Sequence, residues 1–296
     1  MATDTRVLAA EFQYLEARST GEVLTWLAEY GPRAKILAGG TDLLIRMKTG
    51  AVQPEYLIYI KKVAGLSNIQ AGETGLSIGA ATSLREIEGH ATVKTSYSAL
   101  HEAVRSMAAT SIRNMGTIGG NLVNASPAAD TAPPLLVYDA SLKLDCLGGA
   151  RWVPVDEFFL GPGKTCLTPQ ELLTEISIPF QGPGSGSSFL KLGRVAIDIA
   201  KINVAVSLQR SGSNCASCRI AFGSVAPRPI RVREAEAVLT GKIISDDLVE
   251  AAARAGAAAI RPISDNRSTR EYRSKVSRVI LAEALRAAWE RSGGVL

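Results

Sequence analysis

Residues Ser111 to Asp130 read SIRNMGTIGGNLVNASPAAD. Small and hydroxyl side chains dominate: Thr117, Gly119, Gly120, Asn121, Asn124 and Ser126. Asp130 is the one acid, and no lysine follows Arg113. Glycine has no Cβ, so such a stretch lets backbone N–H groups come close to a bulky anion. Taken alone it reads either as a glycine-rich surface turn followed by a capped helix, or as an anion-binding loop.

A second stretch lies upstream. Lys35 to Lys48 reads KILAGGTDLLIRMK. A short apolar strand, Lys35–Ala38, runs into Gly39 and Gly40, and a helix opens at Thr41 or Asp42 with Leu43, Leu44 and Met47 on its face. The amides and dipole at the start of that helix suit a phosphate. A tight strand-to-helix turn capped by Thr41 or Asp42 would look the same. Neither G-x-G-x-x-G nor a P-loop lysine is present. Gly161-Pro-Gly-Lys-Thr165 imitates a P-loop, but Phe158 stands where the first glycine belongs, so it is read as a rigid loop.

The chain has 296 residues, enough for two domains. At 46% apolar and 21% charged it has the composition of a soluble globular protein. No run reaches the ~18 apolar residues of a membrane span. The N-terminus carries Asp4, Glu11 and Glu16 and neither an apolar core nor twin arginines. No signal peptide is therefore expected, and the expected location is cytoplasmic. The net charge of +5 is scattered, with Arg228, Arg231 and Arg233 as its densest patch, and aromatics are only 5%. That argues against nucleic acid and is compatible with an acidic partner or a phosphate-rich ligand. Cys215 and Cys218 form a lone C-x-x-C, while Cys146 and Cys166 stand apart. A zinc or iron–sulfur site needs more ligands, so inert reduced cysteines are expected and no metal site. With only His90 and His101, a hydrolase triad is poorly supplied.

Further elements follow in order. A helix is expected within residues 12–30, capped by Ser19 or Thr20, then strands at Glu55–Ile60 and Leu76–Ala80. Helices are expected at Ser83–Glu88, Tyr97–Ala108 and Ala128–Tyr138, and strands at Ser141–Cys146, Arg151–Val155 and Leu172–Ile178. Gln181–Ser188, QGPGSGSS, reads as a linker. Beyond it, strands at Phe189–Arg194, Lys201–Gln209 and Cys218–Ser224 precede helices at Ala235–Leu239, Asp247–Ile260 and Arg270–Arg291, which is an α+β order.

The two glycine stretches, AGGTD and TIGGNLVNASPAAD, together resemble the FAD-binding medium subunit of the molybdenum hydroxylases, the group of xanthine dehydrogenases and aerobic carbon monoxide dehydrogenases. ELLTEISIP, FLKLGRVAIDIAKINVAV and IAFGSVAPRPIRVREAEAVLTGK extend the likeness along nearly the whole chain. The resemblance implies an α+β fold: a two-subdomain FAD-binding domain of the vanillyl-alcohol-oxidase type over residues 1–180, and a smaller α+β C-terminal domain over 185–293. It places Ile36, Leu37, Ala38, Gly39, Gly40, Thr41, Asp42 and Leu43 around the FAD pyrophosphate. Thr117, Ile118, Gly119, Gly120 and Asn121 form a second cradle. Asp130 is expected at the ribose or adenosine end, and the Leu173 backbone at the adenine. Lys191 is expected near the isoalloxazine and Met107 beside the cofactor. From its residue type alone Lys191 is equally a solvent-facing strand residue. The loop Gly193–Lys201 is expected over the ring. A related branch carries a four-cysteine insert for a [4Fe–4S] cluster. The matching region here has only Cys146, so no cluster is expected.

The implied function is that of an electron-transfer oxidoreductase subunit. Molybdopterin would sit in a large partner and two [2Fe–2S] clusters in a small one, in a dimer of heterotrimers, with NAD+ or a quinone as acceptor. No residue of this chain would then be catalytic toward the hydroxylated substrate. The alternatives are an autonomous flavin-dependent oxidoreductase acting on its own small substrate, and a nucleotide-binding regulatory module without redox activity.

Overall fold

The computed structural model describes Leu8 and residues 10–295; Asp4, part of the acidic N-terminus, lies outside them. The first sheet is parallel, with Tyr56–Tyr59 in the middle and Gln13–Glu16 and Ala34–Leu37 at its edges. Parallel neighbours need a crossover. The helix Thr20–Tyr30 provides one and the helix Leu43–Lys48 the next. Ser19 starts the first of these through a reciprocal cap: its hydroxyl takes the Glu22 N–H, and the Glu22 carboxylate takes the Ser19 N–H. Val23, Leu27, Ala34, Ile58 and Ile60 form the core beneath this sheet.

The second sheet has five antiparallel strands: Ile69–Gly72, Gly75–Gly79, Leu172–Pro179, Ser141–Cys146 and Gly149–Pro154 in spatial order. Short helices cover it, Leu84–Gly89, Ala91–Ser96, Ser98–Arg105, Thr110–Met115, Ile118–Val123 and Ala132–Val137. Ile78, Leu100, Ile118, Leu135, Leu142 and Ile176 are sealed between the sheet and these helices. Gly161-Pro-Gly-Lys-Thr165 is the turn of a small hairpin, Phe159–Gly161 with Lys164–Thr165, and Gly163 supplies the positive φ that turn requires. No phosphate-binding helix follows it.

The last sheet is an antiparallel meander, Ser185–Leu192, Ile202–Ser211, Asn214–Gly223 and Ile230–Arg231. Helices Arg233–Leu239, Asp246–Ala259 and Arg270–Arg291 pack on it. Here the linker expectation is corrected. Residues 185–188 belong to the first strand of the meander, and Gly186, Ser187 and Ser188 are buried. The glycine serves packing. A Cβ at Gly186 would land on the Ala288 carbonyl oxygen and 2.6 Å from the Ser292 nitrogen, so the end of the long helix lies directly on the strand. Gly186→Ala is expected to cost about 1–3 kcal/mol, the range for overpacking a filled interior. A thermal melt equal to that of the parent chain would contradict this.

The arginines that look like a basic patch are engaged with acids. Asp139 pairs with Arg219 at 2.6 Å and Arg231 at 2.8 Å, and Asp156 pairs with Arg228 at 3.2 Å and Arg233 at 3.6 Å. Both acids belong to the five-stranded-sheet region and the arginines to the meander region, so the patch ties the two together. No described helix is long and apolar enough to cross a membrane.

Candidate functional site

The two glycine stretches meet in space. A Cβ on Gly39 would fall on the Met115 carbonyl oxygen, 2.6 Å from the Met115 carbonyl carbon and 2.8 Å from the Gly116 Cα. Backbone therefore lies against backbone at this point. Asn124 Nδ2 donates to Asp42 Oδ1 at 3.2 Å, and Lys61 Nζ donates to the Met115 carbonyl at 3.3 Å. Gly40 has φ of 72°, which turns the chain from strand to helix.

The stretches differ in what they offer. The amides of Gly39, Gly40, Thr41 and Asp42 donate to no group among the described residues. Four successive free N–H groups in a half-buried turn form an anion-binding concavity. The second stretch is not a loop. Thr110–Met115 and Ile118–Val123 are short helices, and Thr117 caps the second by accepting the Gly120 N–H at 3.0 Å. Two further amides are occupied: Ile118 N–H goes to the Thr82 carbonyl at 3.1 Å and Gly119 N–H to the Ala80 carbonyl at 2.9 Å. Gly119 is glycine because a Cβ would sit 2.6 Å from the Ala80 oxygen. Beside the free amides of Gly39–Asp42, the exposed part of this helix start is Gly120 and half-buried Asn121.

Asp130 and Lys191 meet each other. Lys191 Nζ lies 2.7 Å from Asp130 Oδ2, with both side chains at most 7% exposed, and it also donates to the Ser106 carbonyl at 3.2 Å. Asn203 Nδ2 donates to Asp130 Oδ1 at 2.6 Å. Burial pushes the Asp130 carboxyl up from its ordinary value, and Lys191 and Asn203 pull it back. One correction follows. Lys191 is not solvent-facing. It meets Asp130 at one point, and its second bond, to the Ser106 carbonyl, lies next to half-buried Met107. Thr131 Oγ1 donates to Asn121 Oδ1 at 2.6 Å, which joins this pair to the glycine stretches. Leu173 is buried, and its neighbour Thr174 accepts the Ala80 N–H at 2.9 Å, one residue step from the Gly119 contact.

The sequence reading missed Arg113 and Asn203. Arg113 is buried. It pairs with Glu88 at 2.9 Å and donates to the Met107 and Ala108 carbonyls at 2.9 Å each, which fixes the turn carrying Met107. An arginine within a run of small residues was the available signal. Asn203 lies in an apolar strand and gave none. Cys215 and Cys218 lie within a strand rather than before it, free and buried. Among the described residues no group of three or more His, Cys, Asp or Glu is placed to hold a metal.

An α+β chain with an amide-lined turn, closed by a second glycine stretch, is the build of a nucleotide-cofactor protein. The family profile described as the FAD binding domain in molybdopterin dehydrogenase matches residues 10–181, and the CO dehydrogenase flavoprotein C-terminal domain matches 187–288. The carbon monoxide dehydrogenase medium chain of Hydrogenophaga pseudoflava is 34% identical over 96% of this chain and 99% of its own length. The putative xanthine dehydrogenase FAD-binding subunit of Escherichia coli is 33% identical over 96% of this chain and 98% of its own. A carbon monoxide dehydrogenase structure from Hydrogenophaga pseudoflava, lacking the Mo-pyranopterin moiety of its molybdenum cofactor, superposes with a TM-score of 0.93 at 35% identity, covering 96% of this chain and 99% of that one. The chain belongs to the FAD-binding medium subunits of the molybdenum hydroxylases, and is an oxidoreductase subunit.

Proposed function

We propose that the chain is the electron-transfer subunit of a molybdenum hydroxylase complex, taking electrons from [2Fe–2S] clusters of a small partner and passing them to an acceptor such as NAD+ or a quinone. A large partner carries the molybdopterin and the substrate, and the complex is a dimer of heterotrimers in the cytoplasm. The observation that carries this reading is the run of free amides from Gly39 to Asp42, held in place by Met115 and Gly116. The residues fit FAD. The amide turn takes the pyrophosphate without a lysine cluster. Ile36, Leu37, Ala38 and Leu43 shape its apolar flank, Thr41 adds a hydroxyl, and Thr117 to Asn121 close the other side. Met107, with the buried Asp130–Lys191 pair behind the turn that carries it, would continue this surface, and Leu173 would back it from the sheet.

When bound, FAD supplies the redox chemistry. The protein's part is to bind, orient and set charge. Lys191, neutralised by Asp130, contributes little net charge, so its pull on a flavin is weaker than that of a free ammonium.

Purified chain should absorb near ~450 nm, as a flavoprotein does. Tagged chain should also bring down a large molybdenum subunit and a small iron–sulfur subunit. A colourless protein that stays colourless with added FAD would sink the flavin reading. A yellow protein that never co-purifies with such partners, yet oxidises a small molecule alone, would establish the autonomous oxidoreductase instead.

A further inference from the structure

A polar groove of about 630 Å³ opens where the two domains meet, and none of the residues assigned to the flavin lines it. Its size falls in the ~300–1,000 Å³ range of small-molecule sites, which favour domain junctions. One wall is the Ser98–Arg105 helix with Lys94 just before it, and another is residues 181–187 at the start of the meander. Arg291 from the last helix closes the end. Ser98, His101 and Arg105 are spaced i, i+3 and i+7, so a hydroxyl, an imidazole and a guanidinium share one helix face.

The floor is rigid before any ligand arrives. The Tyr138 and Ser187 hydroxyls lie 2.7 Å apart, Ser98 Oγ lies 2.9 Å from Ser187 Oγ, and the Ala99 N–H donates to Tyr138 Oη at 3.2 Å. Glu102 is the one carboxylate in the lining, and both its oxygens are occupied. One takes the Phe189 N–H at 2.8 Å and the other takes Arg291 Nη2 at 2.5 Å. Lys94 and Arg105 form no ion pair among the described residues. His101 also lines the groove, and its Nδ1, turned away from solvent, has no hydrogen-bond partner among the described residues. Two exposed cations without a carboxylate partner, in a groove whose one carboxylate is already engaged, leave a surplus of positive charge that suits an oxyanion.

By residue type, Tyr138 and Pro183 are the apolar side chains of the lining, and Tyr138 is almost wholly buried. Neither offers a broad exposed face on which a nucleobase would stack. We propose that this groove binds a small hydrophilic polyanion with two or more oxyanion groups, held by Lys94, Arg105 and His101.

Calorimetric titration of the full chain saturated with FAD tests this at low salt, where exposed cations are least screened. The arms are pyrophosphate, citrate and, as a control for ionic strength alone, chloride. Saturating FAD keeps pyrophosphate off the flavin turn. At least one of the two polyanions is expected to bind with a sub-millimolar Kd, and Lys94→Ala combined with Arg105→Ala is expected to weaken it at least ~10-fold, about 1.4 kcal/mol. Both side chains are outside the core, so the double variant should fold and keep its flavin. Binding of citrate alone identifies a polycarboxylate site, and binding of pyrophosphate alone a phosphate site. Heat from neither polyanion, or equal affinity in the double variant, overturns the proposal.

Discussion

Gly39→Ala is expected to strip the protein of FAD while leaving it folded. The added methyl has no room, because its nearest neighbours are the carbonyl of Met115 and the Cα of Gly116. These are backbone atoms, so no side-chain rotation relieves the clash, and the two stretches must part. Overpacking of this kind costs about 1–3 kcal/mol. The larger loss is at the ligand. A hydrogen bond to a charged group contributes about 1.5–3 kcal/mol, so misplacing even two of the amides of residues 39–42 removes at least ~3 kcal/mol. Affinity should fall more than ~100-fold. Gly40→Ala makes the comparison. There the obstacles are the ends of flexible side chains, Leu44 Cδ1 at 2.9 Å and Leu37 Cδ1 at 3.1 Å, and the strain of a φ of 72°. That strain costs about 1–2 kcal/mol for a non-glycine residue, or roughly tenfold in affinity. The ratio of flavin to protein absorbance after desalting, with circular dichroism as a check on folding, reads both. Full flavin content in Gly39→Ala would refute the cradle at Gly39–Asp42.

The sequence carried the helices at Ser83, Arg233, Asp246 and Arg270 because local signals mark them: a capping box, acids in the first turn and an apolar stripe. It misread Gln181–Ser188, since glycines and serines suit a linker and a strand crossed closely by a helix equally well. Only Ala288, about a hundred residues away, decides between them. The glycine stretches were recognisable as a pair, but their division of labour was not. Whether an amide is free depends on which carbonyl lies opposite. The carbonyls opposite Ile118 and Gly119 belong to Thr82 and Ala80, in a segment with no ligand signal of its own. Asp130 and Lys191 were each picked out, yet their contact spans 61 residues of chain. Nothing local foretells that an acid and a base chosen for a ligand will take each other.

That contact sets the second large effect. Asp130→Asn leaves the Lys191 ammonium buried with no counter-charge, and Lys191→Met leaves the Asp130 carboxylate in the same position. Breaking a buried pair from one side costs about 3–5 kcal/mol. Removing both charges together should cost less than either single change, because no uncompensated charge remains, and Asn at position 130 still offers Asn203 an acceptor. Thermal melts of the two single variants and the double variant form the cycle. Three equal losses, or a double variant worse than both singles, would show that the charges do not act as a unit. The pH dependence separates the singles further. Burial already raises the Asp130 carboxyl, and in Lys191→Met the ammonium that opposes that rise is gone. A carboxyl whose folded pKa lies above its unfolded value binds its proton more tightly when folded. The variant should therefore keep its stability below the unfolded carboxyl's titration and lose it as pH rises until the folded carboxyl has ionised. Lys191→Met should thus approach the parent chain in acid and fall behind it toward neutral pH. Asp130→Asn has no carboxyl to titrate there and should not show this slope. If Lys191→Met instead gains ground on the parent as pH rises, Asp130 is not the group left stranded.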